Sequence, residues 1–314
     1  MLLTISLAGV LGVLLAVYSA LARRRIDARW PAIGASIDVD GQRLHYTDQG
    51  QGPTIVLIHG ASSNLREFQH SLVPLLATDH RVLAFDRPGC GHSPRATGGA
   101  WLNPQQLAHL ILEACERLGV ERPIFVGHSL AGAVVMAALL HEASRVRGGV
   151  VLAGAMGHWV SAPGIGERLR QVPGLLPMFA HTLLQPIGTR VIPSALRAVF
   201  APHAVPEGHA ERIGAALALR PASFAQDAHD IHHLSAYLQL ASARYRDIKQ
   251  PLRVIHGTAD TIVPYWNHGQ RFEGVLPGMQ VELMDGHGHA LHHVACEEVA
   301  SSIRSFARSL EEHQ

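Results

Sequence analysis

The sequence of 314 residues predicts an α/β fold, in which a mostly parallel sheet carries helices on both of its faces. Short apolar runs rich in β-branched residues, typical of strands buried on both faces, alternate with longer stretches of helical periodicity. A serine also stands among small residues where one such run passes into a helical stretch, in the segment Gly127-His128-Ser129-Leu130-Ala131-Gly132. A sharp strand-to-helix turn of this kind is typical of the edge of a parallel sheet at which ligands bind.

The N-terminal segment is apolar and uncharged from Leu2 to Ala22. At about 1.5 Å per residue, a helix of this segment would be roughly 31 Å long, close to the thickness of the hydrocarbon core of a bilayer. Three arginines, Arg23–Arg25, follow directly, and cationic segments stay on the cytoplasmic side of a membrane. We therefore predict an N-terminal transmembrane anchor over residues 1–25, with the large domain in the cytoplasm.

A cleaved signal peptide is the alternative for this segment, and it would make the protein secreted. The tripeptide Ala20-Leu21-Ala22 resembles a cleavage site. However, the apolar run is long for a signal peptide, no basic residue precedes it, and the arginines after the site would oppose translocation. These features favour the uncleaved anchor.

The elements of the folded domain follow a linker, which is predicted over residues 26–35. A hairpin centred on Asp40-Gly41 begins the domain. Strands are then predicted over Thr54–Ile58, Arg81–Phe85, Pro123–Val126, Gly149–Ala153, Leu252–His256 and Met279–Leu283, with helices over Asn103–Leu118 and Val294–Leu310. The strand pattern stops between residues 157 and 245, where apolar helical stretches predict an inserted cap. The predicted core therefore comprises residues 36–156 and 246–314.

The composition excludes some classes of partner. Lys and Arg total 26 and Asp and Glu total 25, so no charge excess favours nucleic acid. The cysteines Cys90, Cys115 and Cys296 are odd in number and widely spaced, which indicates a reducing compartment and packing roles. Neither a cofactor nor an oligomeric state is predicted.

Further motifs follow several of the predicted strands. They are Leu57-Ile58-His59-Gly60-Ala61-Ser62, Phe85-Asp86-Arg87-Pro88-Gly89-Cys90-Gly91-His92-Ser93, His256-Gly257-Thr258-Ala259-Asp260 and Gly288-His289. Together with the serine turn, they make the chain resemble the α/β-hydrolase superfamily, in its capped, esterase-like serine-hydrolase branch. The resemblance implies an eight-stranded type of sheet and extends from Ser36 to the C-terminus, apart from the insertion.

The resemblance implies a role for each motif. Ser129 would be the nucleophile, His289 the general base and Asp260 the acid that orients the histidine, which agrees with the need of a serine hydroxyl for an adjacent imidazole. The backbone N–H groups of Ala61 and Leu130 would form the oxyanion hole. Supporting positions are His59, Gly60, Gly127 and His128. The pattern departs mildly from Gly-x-Ser-x-Gly, because Ala131 stands at its last position.

Each of these assignments has a plainer rival. Ser129 could cap a helix, and Asp260 could be a turn residue, although no acid follows the strand that ends at Ala153. Asp86 and Arg87 are predicted to belong to a structural loop beneath the site and to take no part in the chemistry.

The histidine is chosen from four in the segment Asp285-Gly286-His287-Gly288-His289-Ala290-Leu291-His292-His293. His289 follows a small residue and precedes Val299 of the closing helix by ten positions, as the family pattern requires. His287 is the next choice, and His292 is predicted on the first turn of the helix. The cluster has neither the His-Glu-x-x-His spacing nor cysteine ligands, so no metal site is predicted there. His229, His232 and His233 of the insertion are predicted to lie at a surface or an interface.

The insertion implies a helical cap over the serine and a lipophilic small-molecule substrate. The residues expected to line an apolar slot or to bury the cap are Leu175, Leu176, Met178, Phe179, Leu183, Leu184, Ile187, Ile192, Leu196, Val199 and Phe200. The sequence thus predicts a membrane-anchored serine hydrolase of carboxylic esters. Amide hydrolysis, carbon–carbon bond hydrolysis and acyl transfer with the same triad stay open, as do a non-catalytic binding protein and a metal-dependent hydrolase. A serine at position 129 argues against epoxide hydrolases and haloalkane dehalogenases, which use an aspartate there.

Overall fold

A computed structural model of the chain describes residues 2–95, 101–159 and 175–311. Eight strands form one sheet in the order β1-β2-β4-β3-β5-β6-β7-β8. Strands β1 and β2 form an antiparallel hairpin, and β2 joins β4 antiparallel, whereas the remaining strand pairs are parallel. The strands are β1 (Ala35–Val39), β2 (Gln42–Gln49), β3 (Thr54–Ile58), β4 (Arg81–Phe85), β5 (Ile124–His128), β6 (Gly148–Leu152), β7 (Leu252–Gly257) and β8 (Met279–Met284). The predicted mostly parallel sheet is confirmed.

The described residues also form helices α1 (Leu2–Arg29), α2 (Arg66–Gln69), α3 (Leu72–Leu76), α4 (Pro104–Arg117), α5 (Gly132–His141), α6 (Leu175–Thr182), α7 (Leu184–Phe200), α8 (His209–Arg212), α9 (Pro221–Ser242), α10 (Leu291–Val294) and α11 (Cys296–Glu311). Helices α4 and α5 pack against one face of the sheet, and α3 and α11 against the other. This layering buries the apolar side chains of the central strands on both faces, which is why those strands have few polar residues.

Helix α4 shows how local sequence sets an element boundary. The Asn103 side chain accepts a hydrogen bond from the backbone N–H of Gln106 at 2.9 Å, and the Gln106 side chain accepts one from the N–H of Asn103 at 3.0 Å. This capping box satisfies backbone donors that the first turn leaves free, and Pro104 has no such donor. The helix therefore begins where the sequence predicts.

The parallel register aligns the ends of the central strands. Ile58 at the end of β3 pairs with Phe85 at the end of β4, and also with Gly127 near the end of β5. The motifs that follow these strands consequently meet at one edge of the sheet, where open α/β sheets bind ligands.

Helices α6–α9 occupy the part of the chain between β6 and β7 where the cap is predicted. Residues 160–174 of the predicted cap lie outside the described residues. The longest of these helices, α9, spans 22 residues and packs against α6 and against the 3₁₀ turn Ala215–Leu219.

The N-terminal helix departs from the sequence prediction in two respects. It continues past Arg23–Arg25 to Arg29, so the predicted linker over 26–35 is wrong in its first part. Its end is held to the cap by an ion pair between Asp27 and Arg220 at 3.1 Å and by a hydrogen bond from Trp30 Nε1 to the Glu211 carbonyl at 2.8 Å. Among the described residues, no helix combines the length and the apolarity that crossing a membrane requires. The predicted transmembrane helix is therefore not supported.

Candidate active site

Ser129 lies on the tight turn that joins β5 to α5, with a φ of +55°. A non-glycine residue in this left-handed region is strained, and its surroundings must hold it there. The turn also requires its glycines. A Cβ at Gly127 would lie 2.4 Å from the Ala131 carbonyl oxygen, and a Cβ at Gly132 would lie 2.9 Å from the Cα of Gly154. The small residues around the serine are therefore a steric requirement of the turn.

The structure brings together the three residues that the sequence analysis names as a triad. His289 Nε2 lies 3.0 Å from Ser129 Oγ, and His289 Nδ1 lies 2.8 Å from Asp260 Oδ2. With a proton on Nδ1, the imidazole donates to the carboxylate and its Nε2 can accept the proton of the serine hydroxyl. This is the geometry that general-base activation of a serine requires.

Asp260 is buried but stays ionised. Burial by itself would raise the pKa of this carboxyl, but contacts with His256 and His289 hold the pKa well below its ordinary value. Its Oδ1 accepts hydrogen bonds from the backbone N–H groups of Ile262 at 2.8 Å and Val263 at 2.9 Å. A carboxylate supported in this way can orient an imidazole and stabilise the cation that forms when the base takes a proton.

His289 is poised as a neutral base. Burial lowers its pKa below the ordinary value, Asp260 opposes this shift, and the neighbouring His128 adds to it. The imidazole therefore has its Nε2 lone pair available near neutral pH.

The loop after β3 lies directly against the serine. A Cβ at Gly60 would lie 2.8 Å from the Cβ of Ser129, so only glycine lets the loop come this close. His59 holds the loop from below: its Nδ1–H donates to the Gly60 carbonyl at 2.8 Å, and its Nε2 accepts the backbone N–H of Arg87 at 3.0 Å. Burial lowers the pKa of His59 to about 4, which keeps one ring nitrogen free to accept. The oxyanion-hole roles of Ala61 and Leu130 stay predictions.

A second acid–histidine pair, which the sequence analysis missed, lies behind the serine. Glu67 Oε1 is 2.6 Å from Nδ1 of His128, and His128 Nε2 is 3.2 Å from the carbonyl oxygen of His289. Although burial opposes the charged forms, the Glu67 carboxylate raises the pKa of His128, and His128 holds the pKa of Glu67 well below its ordinary value. The sequence gives no clear signal of this pair, because Glu67 stands among the polar residues Arg66, Gln69 and His70.

The same glutamate contacts His292, so a metal site has to be considered. His292 Nε2 lies 3.1 Å from Glu67 Oε1, and burial lowers the pKa of His292 to about 4. Ligands at about 2.0–2.1 Å from a tetrahedral zinc ion stand roughly 3.3 Å apart. The 2.6 Å contact of Glu67 with His128 is shorter than this and is that of a direct ion pair, whereas its 3.1 Å contact with His292 is close to the ligand spacing.

The serine opens into a cavity of about 530 Å³ between the sheet edge and the cap. Its cap side is almost entirely apolar and includes Phe179, Leu184, Ile187, Ile192, Leu196, Val199 and Phe200 of the predicted set. Other members of that set do not line it: Leu176 borders a separate cleft, Met178 and Leu183 are exposed, and the side chain of Leu175 lies outside the described part. The polar end of the cavity is lined by Ser129 and His289, together with Glu67 and the two histidines that it contacts, His128 and His292.

The loop after β4 has a larger part than the sequence analysis predicts. Asp86 is structural, as expected, because its carboxylate accepts the backbone N–H groups of Leu65 and His92, each at 2.7 Å. Arg87, however, reaches beyond its own loop. Its guanidinium lies between the Gly60 carbonyl and two carboxylates of helix α9, so the loop also contacts the cap, which the sequence did not predict.

Comparisons with known proteins agree with this fold. The family model that describes the alpha/beta hydrolase fold matches residues 53–295. The pimeloyl-[acyl-carrier protein] methyl ester esterase of Vibrio vulnificus is 29% identical over 84% of this chain and 98% of its own length. Epoxide hydrolase A of Mycobacterium tuberculosis is 25% identical over 88% of this chain and 97% of its own. The solved meta-cleavage product hydrolase CumD from Pseudomonas fluorescens IP01 superposes with a TM-score of 0.71 at 18% identity, covering 88% of this chain and 98% of that one.

Proposed function

The chain belongs to the α/β-hydrolase family, and from that premise we propose that it is a serine hydrolase that cleaves carboxylic esters. The observation that carries the proposal is the continuous contact from Asp260 through His289 to Ser129, at 2.8 Å and 3.0 Å. Three groups in this order can activate a hydroxyl for attack on an ester carbonyl.

In the proposed reaction, His289 takes the proton of Ser129 as the serine oxygen attacks the ester carbonyl. The negative charge that develops on the carbonyl oxygen is met by the backbone N–H groups of Ala61 and Leu130. His289 then gives its proton to the departing alcohol, which leaves an acyl group on the serine. A water molecule, activated in turn by His289, releases the acid and restores the enzyme.

The cavity supports a small to medium lipophilic substrate. Its cap side consists almost wholly of aliphatic and aromatic side chains, which lose contact with water when an apolar chain enters. A similar protein is named as a methyl ester esterase, which supports ester chemistry. Amide hydrolysis, carbon–carbon bond hydrolysis and acyl transfer with the same triad are the alternatives. The serine at the nucleophile position separates the chain chemically from relatives that form an alkyl-enzyme ester on an aspartate.

Labelling with a fluorophosphonate probe, together with hydrolysis of p-nitrophenyl esters of increasing acyl length, tests this proposal. The wild-type protein should be labelled at Ser129 and should turn over esters, whereas Ser129→Ala should lose both activities without losing its thermal unfolding transition, because only the attacking oxygen is removed. Full ester turnover by Ser129→Ala would reject the serine mechanism. A protein that is labelled but hydrolyses none of the esters would favour one of the other reactions of the same triad, and an unlabelled and inactive wild type would favour a binding protein.

Location at a membrane, with the hydrolase domain on the cytoplasmic side, is a further proposal. It rests on the apolar composition of residues 2–22 and on the arginines that follow them. Carbonate extraction of membranes from cells that produce the full chain should leave the protein in the pellet. Recovery of a mature protein that begins at Arg23 from the periplasm or the medium would instead show a cleaved signal peptide.

A further inference from the structure

One buried ionic contact joins the cap to the core beside the serine. Arg87, only 1% exposed, donates from Nη2 to Asp227 Oδ1 at 2.9 Å and from Nη1 to Asp230 Oδ2 at 2.8 Å. Both acids stand one turn apart on helix α9 of the cap. A buried guanidinium without an opposite charge would cost the folded state several kcal/mol, roughly, so the two carboxylates stabilise the packing of the cap on the core.

The same groups hold both ends of the loop that is predicted to supply the oxyanion hole. Arg87 Nη2 also donates to the carbonyl of Gly60 at 3.1 Å. On the other side of Ala61, the backbone N–H of Ser62 donates to Asp227 Oδ2 at 2.9 Å. The peptide unit Gly60–Ala61, which carries the predicted donor, is therefore held by one arginine of the core, and the next unit, Ala61–Ser62, by one aspartate of the cap.

The backbone of this loop needs such support. Ser62 has a φ of +53°, a left-handed conformation that costs a non-glycine residue free energy and persists only where neighbours hold it. The hydrogen bond to Asp227 is made by the N–H of this strained residue. Without it, the loop would be free to relax to another conformation, and the N–H of Ala61 would turn with it.

We propose that Asp227 of the cap is a positioning residue for the oxyanion loop Gly60–Ser62, so that seating of the cap completes the catalytic site. This inference rests on the proposed serine-hydrolase function. Asp227 does not touch the serine. It acts through Ser62 and Arg87. Its Oδ2 accepts a hydrogen bond from the backbone N–H of Ser62 in the loop, and its Oδ1 accepts one from Arg87 Nη2.

Helix α9 supplies a matched control. Asp230 is buried on the same helix and pairs with the same arginine, but its other partner is the side chain of Gln226 and not the loop. Replacing either acid removes one negative charge from Arg87. Only replacement of Asp227 also removes the acceptor of the Ser62 N–H. The other contact that it alone removes is a weak one from Cys90 Sγ at 3.5 Å, so the difference between the two variants reports mainly on the loop contact.

The experiment compares Asp227→Ala with Asp230→Ala in the full chain, using a p-nitrophenyl ester and a trifluoromethyl ketone that forms an oxyanion on Ser129. A displacement of a catalytic group by about 1 Å can cost up to about 100-fold in rate, so we expect kcat of Asp227→Ala to fall about 10- to 100-fold further than that of Asp230→Ala. KM should change little, and the affinity for the ketone should fall in parallel with kcat. Equal losses of kcat in both variants, or a loss confined to KM, would overturn the inference.

A second pair of variants keeps the test decisive if the alanine variants do not fold. In Asp227→Asn, one carbonyl oxygen cannot serve both Ser62 and Arg87, so kcat should still fall further than in Asp230→Asn, but less than in the alanine variant. Equal values for the two asparagine variants would reject the role of Asp227. If the protein were not an ester hydrolase, the wild type itself would be inactive. If only the role of Asp227 were wrong, the wild type would be active and the two asparagine variants would have equal kcat.

Discussion

The sheet edge and the cap face the same cavity with different chemistry. On the sheet side, Ser129, His289 and Glu67 are polar groups held in fixed contacts. On the cap side, the lining from helices α6 and α7 is aliphatic or aromatic, and the one titratable side chain that the described cap adds is His209 of α8. We therefore expect the sheet edge to determine which bond is broken and the cap to determine which molecule enters.

The two sides meet in the contact of Arg87 with Asp227 and Asp230. At this contact the two sides are not separate, because Asp227 of the cap supports the loop Gly60–Ser62 of the sheet side. We therefore expect a cap of mostly apolar residues to influence catalysis through this one polar contact. Variants on the two sides of the cavity can separate the chemistry of the sheet edge from the selectivity of the cap.

The largest effect is expected at the base. His289→Ala should lower kcat by a factor on the order of 10⁴–10⁶, because members of a triad act as a unit. His287→Ala is the matched control. The His287 side chain is hydrogen-bonded only to the backbone carbonyl of Asp285 in the described structure, and its loss should leave kcat nearly unchanged. Steady-state hydrolysis of an activated ester measures both, and the reverse ranking would place the base two residues earlier.

A smaller effect, on the pH dependence of kcat/KM, is expected from the ion pair of Glu67 with His128. The groups that face His289 are Asp260, which raises its pKa, and His128 and His256, which lower it. In Glu67→Gln, His128 loses the carboxylate that keeps it charged, so the pKa of His289 should rise toward its ordinary value. Because only neutral His289 is active, the acid limb of kcat/KM against pH should move to higher pH.

His292→Gln is the control for that shift. It removes a neutral side chain that also contacts Glu67 but leaves the charged pair in place, so the limb should stay where it is in the wild type. An acid limb that moves to lower pH in Glu67→Gln, or that does not move, would contradict the electrostatic role of the pair and leave it a packing role.

The smallest effect is expected in the cap and concerns selectivity. Ala218 of the 3₁₀ turn Ala215–Leu219 lines the catalytic cavity, whereas Ala216 of the same turn lines a neighbouring cleft. Ala218→Leu should narrow the cavity and lower kcat/KM for a long-chain p-nitrophenyl ester about 10-fold relative to the acetate ester, the range in which pockets discriminate methylene groups. Ala216→Leu should leave the ratio unchanged. Equal ratios in both variants would show that the acyl chain does not occupy this part of the cavity.

The order of the elements and the residues nearest to the chemistry were predictable because their determinants are local. The serine turn needs small residues at Gly127 and Gly132 to avoid backbone clashes, and such a requirement is visible in a few consecutive letters. The strands β3 and β4 occupy the predicted residues because their runs are apolar enough to be buried on both faces. The linker was misplaced because nothing in residues 26–29 breaks a helix, and their contacts with the cap lie far along the chain.

By itself, the sequence determined the α/β class, the serine turn and the glycine that admits the loop after β3, since steric limits on the backbone act over a few residues. The tertiary structure alone decided that Glu67 faces His128 and that Arg87 meets Asp227, which is 140 positions away. Charged side chains on surface-exposed and buried helices look the same in a sequence. Their partners are chosen only when the cap folds back over the sheet and desolvates them, because a buried charge is tolerated only where an opposite charge is brought to it.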